Sequence, residues 1–198
     1  MSNVQDQLLK AISKGNVEEV ENIILKRVEV DIKVLGPFIL CLAISYNQSQ
    51  VVKSLIKLGV NINGVCTLSK TPLHVATLIG SEEIVRLLIQ GGVNMNSRDG
   101  QGYTTLHQSI ILSEGPTSIV KILLQNDADI DFQDYDGNSP LHLAVNVWKS
   151  EYALFLMRHG ASLKIKNQNG MNPVEMTILQ MKGNTERFKS MLCHQHNY

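Results

Sequence analysis

An all-α solenoid of stacked helix-turn-helix units, joined by turn or β-hairpin-like fingers, is the fold this sequence predicts. Three observations predict it. First, one apolar position recurs: Leu8, Leu40, Leu73, Leu106, Leu141 and Val174 are separated by 32, 33, 33, 35 and 33 residues. Second, a closing marker keeps the same register, with Gly59, Gly92, Asp127 and Gly160 spaced by 33, 35 and 33. Third, apolar residues fall at helical spacing twice within each unit. A period of this size means a repeat array, in which no unit buries its apolar stripes alone and stacking buries them against neighbours.

The first helix of each unit pairs the recurring apolar residue with a small one three places on. The pairs are Leu8/Ala11, Leu40/Ala43, Leu73/Ala76, Leu106/Ser109, Leu141/Ala144 and Val174/Thr177. The small residue lets another helix approach closely. The second helix is more apolar, with stripes at i, i+3 and i+4: Val20/Ile23/Ile24, Val52/Leu55/Ile56, Val85/Leu88/Ile89, Val120/Leu123/Leu124, Ala153/Leu156/Met157 and Phe188/Met191/Leu192. Between the helices stand Gly15, Asn47 and Gly80, which tolerate the left-handed conformation that ends a helix. Trp148 holds that place in the fifth unit, against expectation, and the fourth unit has an insertion around 113–118. Helix starts are also written in the chain. Ser139 can cap a helix and Pro140 follows at the first helical position, where its missing N–H costs nothing. Thr71-Pro72 repeats the device, Thr104-Thr105 varies it, and Asn172-Pro173 carries a worn form. In unit two, Phe38-Ile39-Leu40-Cys41 gives no such start.

Thr71-Pro72-Leu73-His74-Val75-Ala76 and Ser139-Pro140-Leu141-His142-Leu143-Ala144 carry the T-P-L-H-x-A signature of the ankyrin repeat, and the chain resembles that family. The closing signature appears as Gly59-Val-Asn-Ile-Asn63, Gly92-Val-Asn-Met-Asn96, Asp127-Ala-Asp-Ile-Asp131 and Gly160-Ala-Ser-Leu-Lys164. The resemblance implies one ankyrin-repeat domain over residues 1–198, with repeats at approximately 1–32, 33–65, 66–98, 99–133, 134–166 and 167–193. Units one, two and six are degenerate; drift is expected at the ends of a solenoid, whereas unit two is internal.

Composition and motifs narrow the function. Formal net charge is zero, which argues against a nucleic-acid binder. The longest apolar run, Val34 to Ile44, is too short to span a bilayer and contains Gly36 and Pro37, and the start lacks the pattern of a signal peptide. Three cysteines (Cys41, Cys66, Cys193) fit a reducing compartment better than a disulfide framework, so an intracellular address, cytoplasmic or nuclear, is expected. No phosphate-cradling loop follows Gly91-Gly92, no nucleophile elbow appears, and the cysteines show no two-residue spacing and no motif that would pair one with a histidine. No enzyme activity, cofactor, metal or small-molecule substrate is expected. Asp127-Ala-Asp129-Ile-Asp131 fails as a calcium loop, because Phe132 and Asn138 stand where the glycine and glutamate belong. His74, His107 and His142 share one repeat position, so stacking sets them about one repeat apart, too far to share a metal. The resemblance implies a structural role for them, in hydrogen bonds near the Thr or Ser of the cap. His194 and His196 read as a frayed end.

The resemblance also implies a function, binding a protein partner on the concave side through the fingertips and the exposed face of the first helices. By register the tips offer Thr67, Leu68 and Lys70, then Gln101 and Tyr103, then Tyr135, Asp136 and Asn138, then Gln168, Asn169 and Met171. The exposed helix positions are Ser45/Tyr46, Leu78/Ile79, Ile111/Leu112, Asn146/Val147 and Leu179/Gln180. Such positions are typically polar in the family, yet Leu78, Ile79, Ile111 and Leu112 are apolar, with Val147 and Trp148 beside them. An exposed apolar patch marks an interaction surface. The competing expectation is that the unit-four insertion turns its helix and buries Ile111 or Leu112, with Trp148 filling space. An adaptor, scaffold or inhibitor is therefore expected. A narrower likeness is to IκB-like ankyrin inhibitors of Rel/NF-κB factors, also six-repeat stacks, because the Leu141–Val145 segment lacks a following glycine. With no serine pair near the start and no acidic Pro/Ser/Thr-rich tail, the likeness would be to the truncated inhibitors that some viruses encode. A structural, self-associating subunit is the other alternative.

Overall fold

The apolar stripes become paired helices in a computed structural model that describes residues 4–26, 32–66, 69–113, 115 and 117–182. The order is α1 (Val4–Ser13), α2 (Val17–Lys26), α3 (Ile32–Ser45), α4 (Ser49–Lys57), α5 (Pro72–Ile79), α6 (Glu82–Gln90), α7 (Thr105–Leu112), α8 (Ser118–Gln125), α9 (Pro140–Asn146) and α10 (Ser150–Arg158). A last helix, α11, spans residues 173–182. Among the described residues there are no strands. The second-helix stripe Phe188/Met191/Leu192, the insertion residues Glu114 and Pro116, Cys193, His194 and His196 lie outside the described residues.

Each first helix packs on its own second helix and on the first helix of the next unit: α3 on α4 and α5, α5 on α6 and α7, α7 on α8 and α9. The second helices form the other layer, α2 against α4, α4 against α6 and α6 against α8. Leu8, Leu40, Leu73, Leu106 and Leu141 are all buried, as are Ala11, Ala43, Ala76, Ser109 and Ala144, so small residues line the contact between first helices. The closing marker is explained by its backbone. Gly59, Gly92, Asp127 and Gly160 all have positive φ, 79°, 82°, 64° and 91°, the left-handed conformation that a glycine adopts without strain.

The regular stack is broken in two places. α3 runs through Pro37 and is the longest of the described helices, so unit two lacks the turn-then-proline start of units three and five. The core also divides at unit four. One apolar cluster runs from α1 to α6 and includes Ile119, Ile122 and Leu123 of α8; the other gathers Leu106, Ile110, Val120, Leu141, Ala144, Tyr152 and Leu156. Tyr152 fills the break made by the insertion. It is fully buried where units three and four carry Ile84 and Ile119, and its hydroxyl donates to the Ser109 carbonyl at 2.9 Å and meets Ser113 Oγ at 2.8 Å.

The cysteine expectation is corrected. Cys41 of α3 and Cys66 of the unit-three finger form a disulfide, with Cα atoms 6.3 Å apart. They are 25 residues apart in sequence, but stacking lays each finger against the first helix of the preceding unit. A spacing that carries no motif thereby becomes a contact.

Candidate protein-binding surface

The candidate surface is built on a polar frame that leaves little freedom. In each complete finger a single side chain folds the turn. Asp99 Oδ1 accepts from the backbone N–H of Gln101 and Tyr103, at 2.9 and 3.0 Å, while the Asp99 N–H donates to the Tyr103 carbonyl at 2.8 Å. Asp134 does the same for Asp136 and Asn138, at 2.9 and 2.8 Å, and Asn167 for Asn169 and Met171, at 3.0 and 3.1 Å. These three residues are buried, and the sequence reading missed them. Their signal was an Asp or Asn at one repeat position. Gly102 and Gly137 complete the turns with positive φ, and neighbouring chain crowds both. A Cβ at Gly102 would lie 2.6 Å from the Tyr135 ring, and one at Gly137 would lie 2.9 Å from the Gln168 backbone nitrogen.

The histidines tie this frame to the helices and each unit to the next. Nδ1 meets the cap hydroxyl, Thr71 at 2.7 Å, Thr104 at 2.9 Å and Ser139 at 2.8 Å. Nε2 lies on a carbonyl of the following unit: Tyr103 at 2.9 Å, Asn138 at 3.1 Å and Met171 at 3.1 Å. A carbonyl only accepts, so Nε2 carries the proton and Nδ1 is the acceptor. In units four and five Nδ1 also accepts from the cap backbone N–H, at 3.3 and 3.1 Å. Burial is the main cause that lowers the pKa of all three rings, because it disfavours the charged form. The implied structural role is therefore what the geometry shows. A second ladder runs through the closing signature: the side chains of Asn63, Asn96 and Asp131 accept from the backbone N–H of Asn94, Asp129 and Ser162, at 2.7, 2.9 and 2.8 Å. The aspartates of the rejected calcium loop thus take part in fastening fingers together.

The residues singled out from the sequence fall into three groups. Gln101, Tyr135 and Asp136 are exposed at the tips, and Tyr135 has the Arg98 guanidinium 5.7 Å from its ring. Tyr103, Asn138 and Lys70 are instead partly committed to the frame. Tyr103 stacks on His107, with ring centroids 5.9 Å apart, and Asn138 is bonded through backbone and side chain to His107 and Asn167. Lys70 Nζ donates to Asp99 Oδ2 at 3.2 Å and to Gln108 Oε1 at 3.1 Å. Burial alone would raise the pKa of Asp99, but the two backbone donors and Lys70 hold it below the ordinary carboxylate value. Leu68 and Thr67 lie outside the described residues.

The third group is the apolar row. Leu78, Ile79, Ile111, Leu112, Val147 and Trp148 all stand exposed at the ends of α5, α7 and α9 or just beyond. Ile111 and Leu112 are 47% and 46% accessible, so the insertion has not rotated them into the core. Because α5, α7 and α9 pack side by side, their C-terminal ends form one edge of the stack.

A family model of ankyrin repeats in three copies matches residues 8–99, 40–134, 79–167 and 106–197, so the overlapping matches extend from 8 to 197. No curated protein matches the chain.

Proposed function

The chain belongs to the ankyrin-repeat family, and from that premise we propose that it is a non-enzymatic module that grips another protein on its concave face. The exposed apolar row of Leu78, Ile79, Ile111 and Leu112 carries this reading. The recurring leucines Leu73 and Leu106 of the same helices are buried, whereas these four stand exposed at two positions shared by units three and four. The tips support the reading with exposed Gln101, Tyr135 and Asp136 held on stiff turns, an arrangement that lowers the ordering cost of binding. Ile111→Glu combined with Leu112→Glu should leave the circular dichroism spectrum and melting temperature near those of the native chain and abolish partner capture from the source cell. Unfolding of that variant would instead make the two residues core.

The partner in this reading is a protein, not nucleic acid, a membrane or a small molecule. Formal charge is zero, and among the described residues no helix is long and apolar enough to cross a membrane. An intracellular address, cytoplasmic or nuclear, belongs to the same reading. The Cys41–Cys66 disulfide is uncommon in reduced compartments, so alkylation of thiols in intact source cells tests the address directly. A narrower reading, inhibition of Rel-type transcription factors, is favoured by the α9–α10 turn, which reaches Trp148 without a glycine. Co-precipitation with a Rel-type factor separates it from a general adaptor.

A further inference from the structure

The joint between units two and three is built differently from the later ones. From unit three onward one set of residues makes each joint. His74, His107 and His142 reach a carbonyl of the next finger, Asp99, Asp134 and Asn167 fold that finger, and Gly102, Gly137 and Gly170 turn it at positive φ. The same three positions at the earlier joint lie 33 residues before His74, Asp99 and Gly102, and they hold Cys41, Cys66 and Ser69. None keeps the residue type of its siblings. The finger nevertheless keeps their shape. The Cys66 N–H donates to the Lys70 carbonyl at 2.8 Å, as Asp99 does to Tyr103, and Ser69 takes φ 56° where the siblings have glycine. That conformation strains a serine and not a glycine.

A thiol is a weak donor and a weak acceptor, so two cysteines cannot replace the histidine bond and the carboxylate turn. The Cys41–Cys66 disulfide replaces both, because the two repeat positions meet there in one covalent bond. Reduced, Cys66 keeps only the Pro37 carbonyl, 3.6 Å from its sulfur, as an acceptor in reach among the described residues. The helices do not need the bond, since α3 packs on α4 and α5 through its apolar face. Loss of the disulfide therefore frees the finger and leaves the stack. Access is one-sided. Cys41 is buried, whereas Cys66 is half-buried on a finger whose Val65 and Ser69 are exposed. Disulfides that a small thiol can reach are the labile ones.

We infer that Cys41 and Cys66 are a site of reversible thiol–disulfide exchange, a switch that locks or frees the unit-three finger, with a low-molecular-weight thiol and its disulfide as co-reactants. In reduction the small thiolate attacks Cys66 Sγ. The Cys41–Cys66 bond breaks, Cys41 leaves as a thiolate and takes up a proton, and the small thiol stays on Cys66 as a mixed disulfide. A second small thiolate attacks the small molecule's sulfur and releases Cys66, which also takes up a proton. Two electrons and two protons enter the protein, and two small thiols leave as one disulfide. Oxidation by that disulfide runs the same steps backward. In the oxidised state the finger is held on α3 and presents Lys70 to Asp99 and Gln108. In the reduced state that finger is free. The switch operates whatever the concave face grips.

The full chain tests this in glutathione buffers without denaturant. Millimolar reduced glutathione should open the bond and oxidised glutathione should restore it, as read by mass mapping of the alkylated cysteines. The circular dichroism spectrum should be the same in both states. Amide hydrogen exchange followed by NMR should quicken at the Cys66 N–H by about tenfold or more on reduction. The Asp99 and Asp134 N–H groups make the same turn bond at 2.8 Å in later fingers and should keep their rates. Cys41→Ser with Cys66→Ser should exchange fast at position 66 in either buffer. Cys41→His, Cys66→Asp and Ser69→Gly together write the residues of the later joints into this one and should exchange slowly in either buffer; if that variant does not fold, the double-serine variant decides. Four results would overturn the inference. Reduction only after unfolding in urea would make the bond a fixed staple. Equal exchange at Cys66 in both states, or slow exchange in the double-serine variant, would mean that the finger is held without the bond. Faster exchange at Asp99 and Asp134 on reduction would mean that the whole stack opens.

Discussion

Thr105 opens α7 at the position where α5 and α9 carry Pro72 and Pro140. It is buried, and among the described residues its Oγ1 finds no hydrogen-bond partner. A proline there removes the stranded hydroxyl, presets φ for the first helical turn and gives up only an N–H that the helix does not use. Thr105→Pro is expected to raise stability by about 1 kcal/mol in urea denaturation, and a decrease would show that the hydroxyl is satisfied by solvent or strains nothing. At this scale the sequence read well wherever a residue type belongs to a motif. Ser139, Pro140, Leu141 and His142 stand as the repeat demands, and the histidines bond to their caps. It read poorly where a side chain's direction decides its role. Register put Lys70 and Asn138 at the tips, but Lys70 turns inward to Asp99 and Gln108, and Asn138 is held by Asp134 and Asn167. Spacing specifies a repeat position and leaves open which partners surround it.

Among elements, periodicity located every pair of described helices because each must bury a stripe against its neighbours. What it missed were contacts created by stacking. Tyr152 seals the gap left by the insertion by bonding back to α7, and nothing local to Glu151-Tyr152-Ala153 announces that. The Cys41–Cys66 disulfide is the second case, joining the longest described helix to the finger of the next unit. A link closing a 25-residue separation restricts the unfolded chain and is worth about 3 kcal/mol. Addition of reductant should therefore move the urea midpoint of the native chain downward and leave Cys41→Ser unaffected. Thiol titration of the unfolded, unreduced protein should count one free cysteine of the three present; a count of three would remove the link from the fold.

Across the whole molecule the same three histidines act as clasps between successive units, so their titration bears on the entire stack. Each is buried and neutral, with Nε2–H on a carbonyl of the next unit and Nδ1 accepting from its cap. Protonation would place a second N–H against groups that already donate to Nδ1, the backbone N–H of Thr104 and Ser139 among them. All three pKa values are lowered from the ordinary 6.5, chiefly by burial. The unfolded chain therefore takes up protons first as pH falls. Stability is complete above about pH 6.5 and declines below it, until the folded histidines themselves protonate. With three groups acting together the slope has a ceiling of about 4 kcal/mol per pH unit, about 1.4 for each. Asp99, whose pKa is also lowered, adds its own loss only in the carboxylate range, near and below its ordinary 3.8, so the two effects separate along the pH axis. Urea midpoints measured between about pH 8 and pH 5 should be flat at first and then fall. A variant in which His107→Gln removes the central clasp should be less stable at neutral pH, yet should decline less steeply on acidification. A flat profile down to about pH 5 would mean that the clasps take up protons as readily in the folded stack as in the unfolded chain.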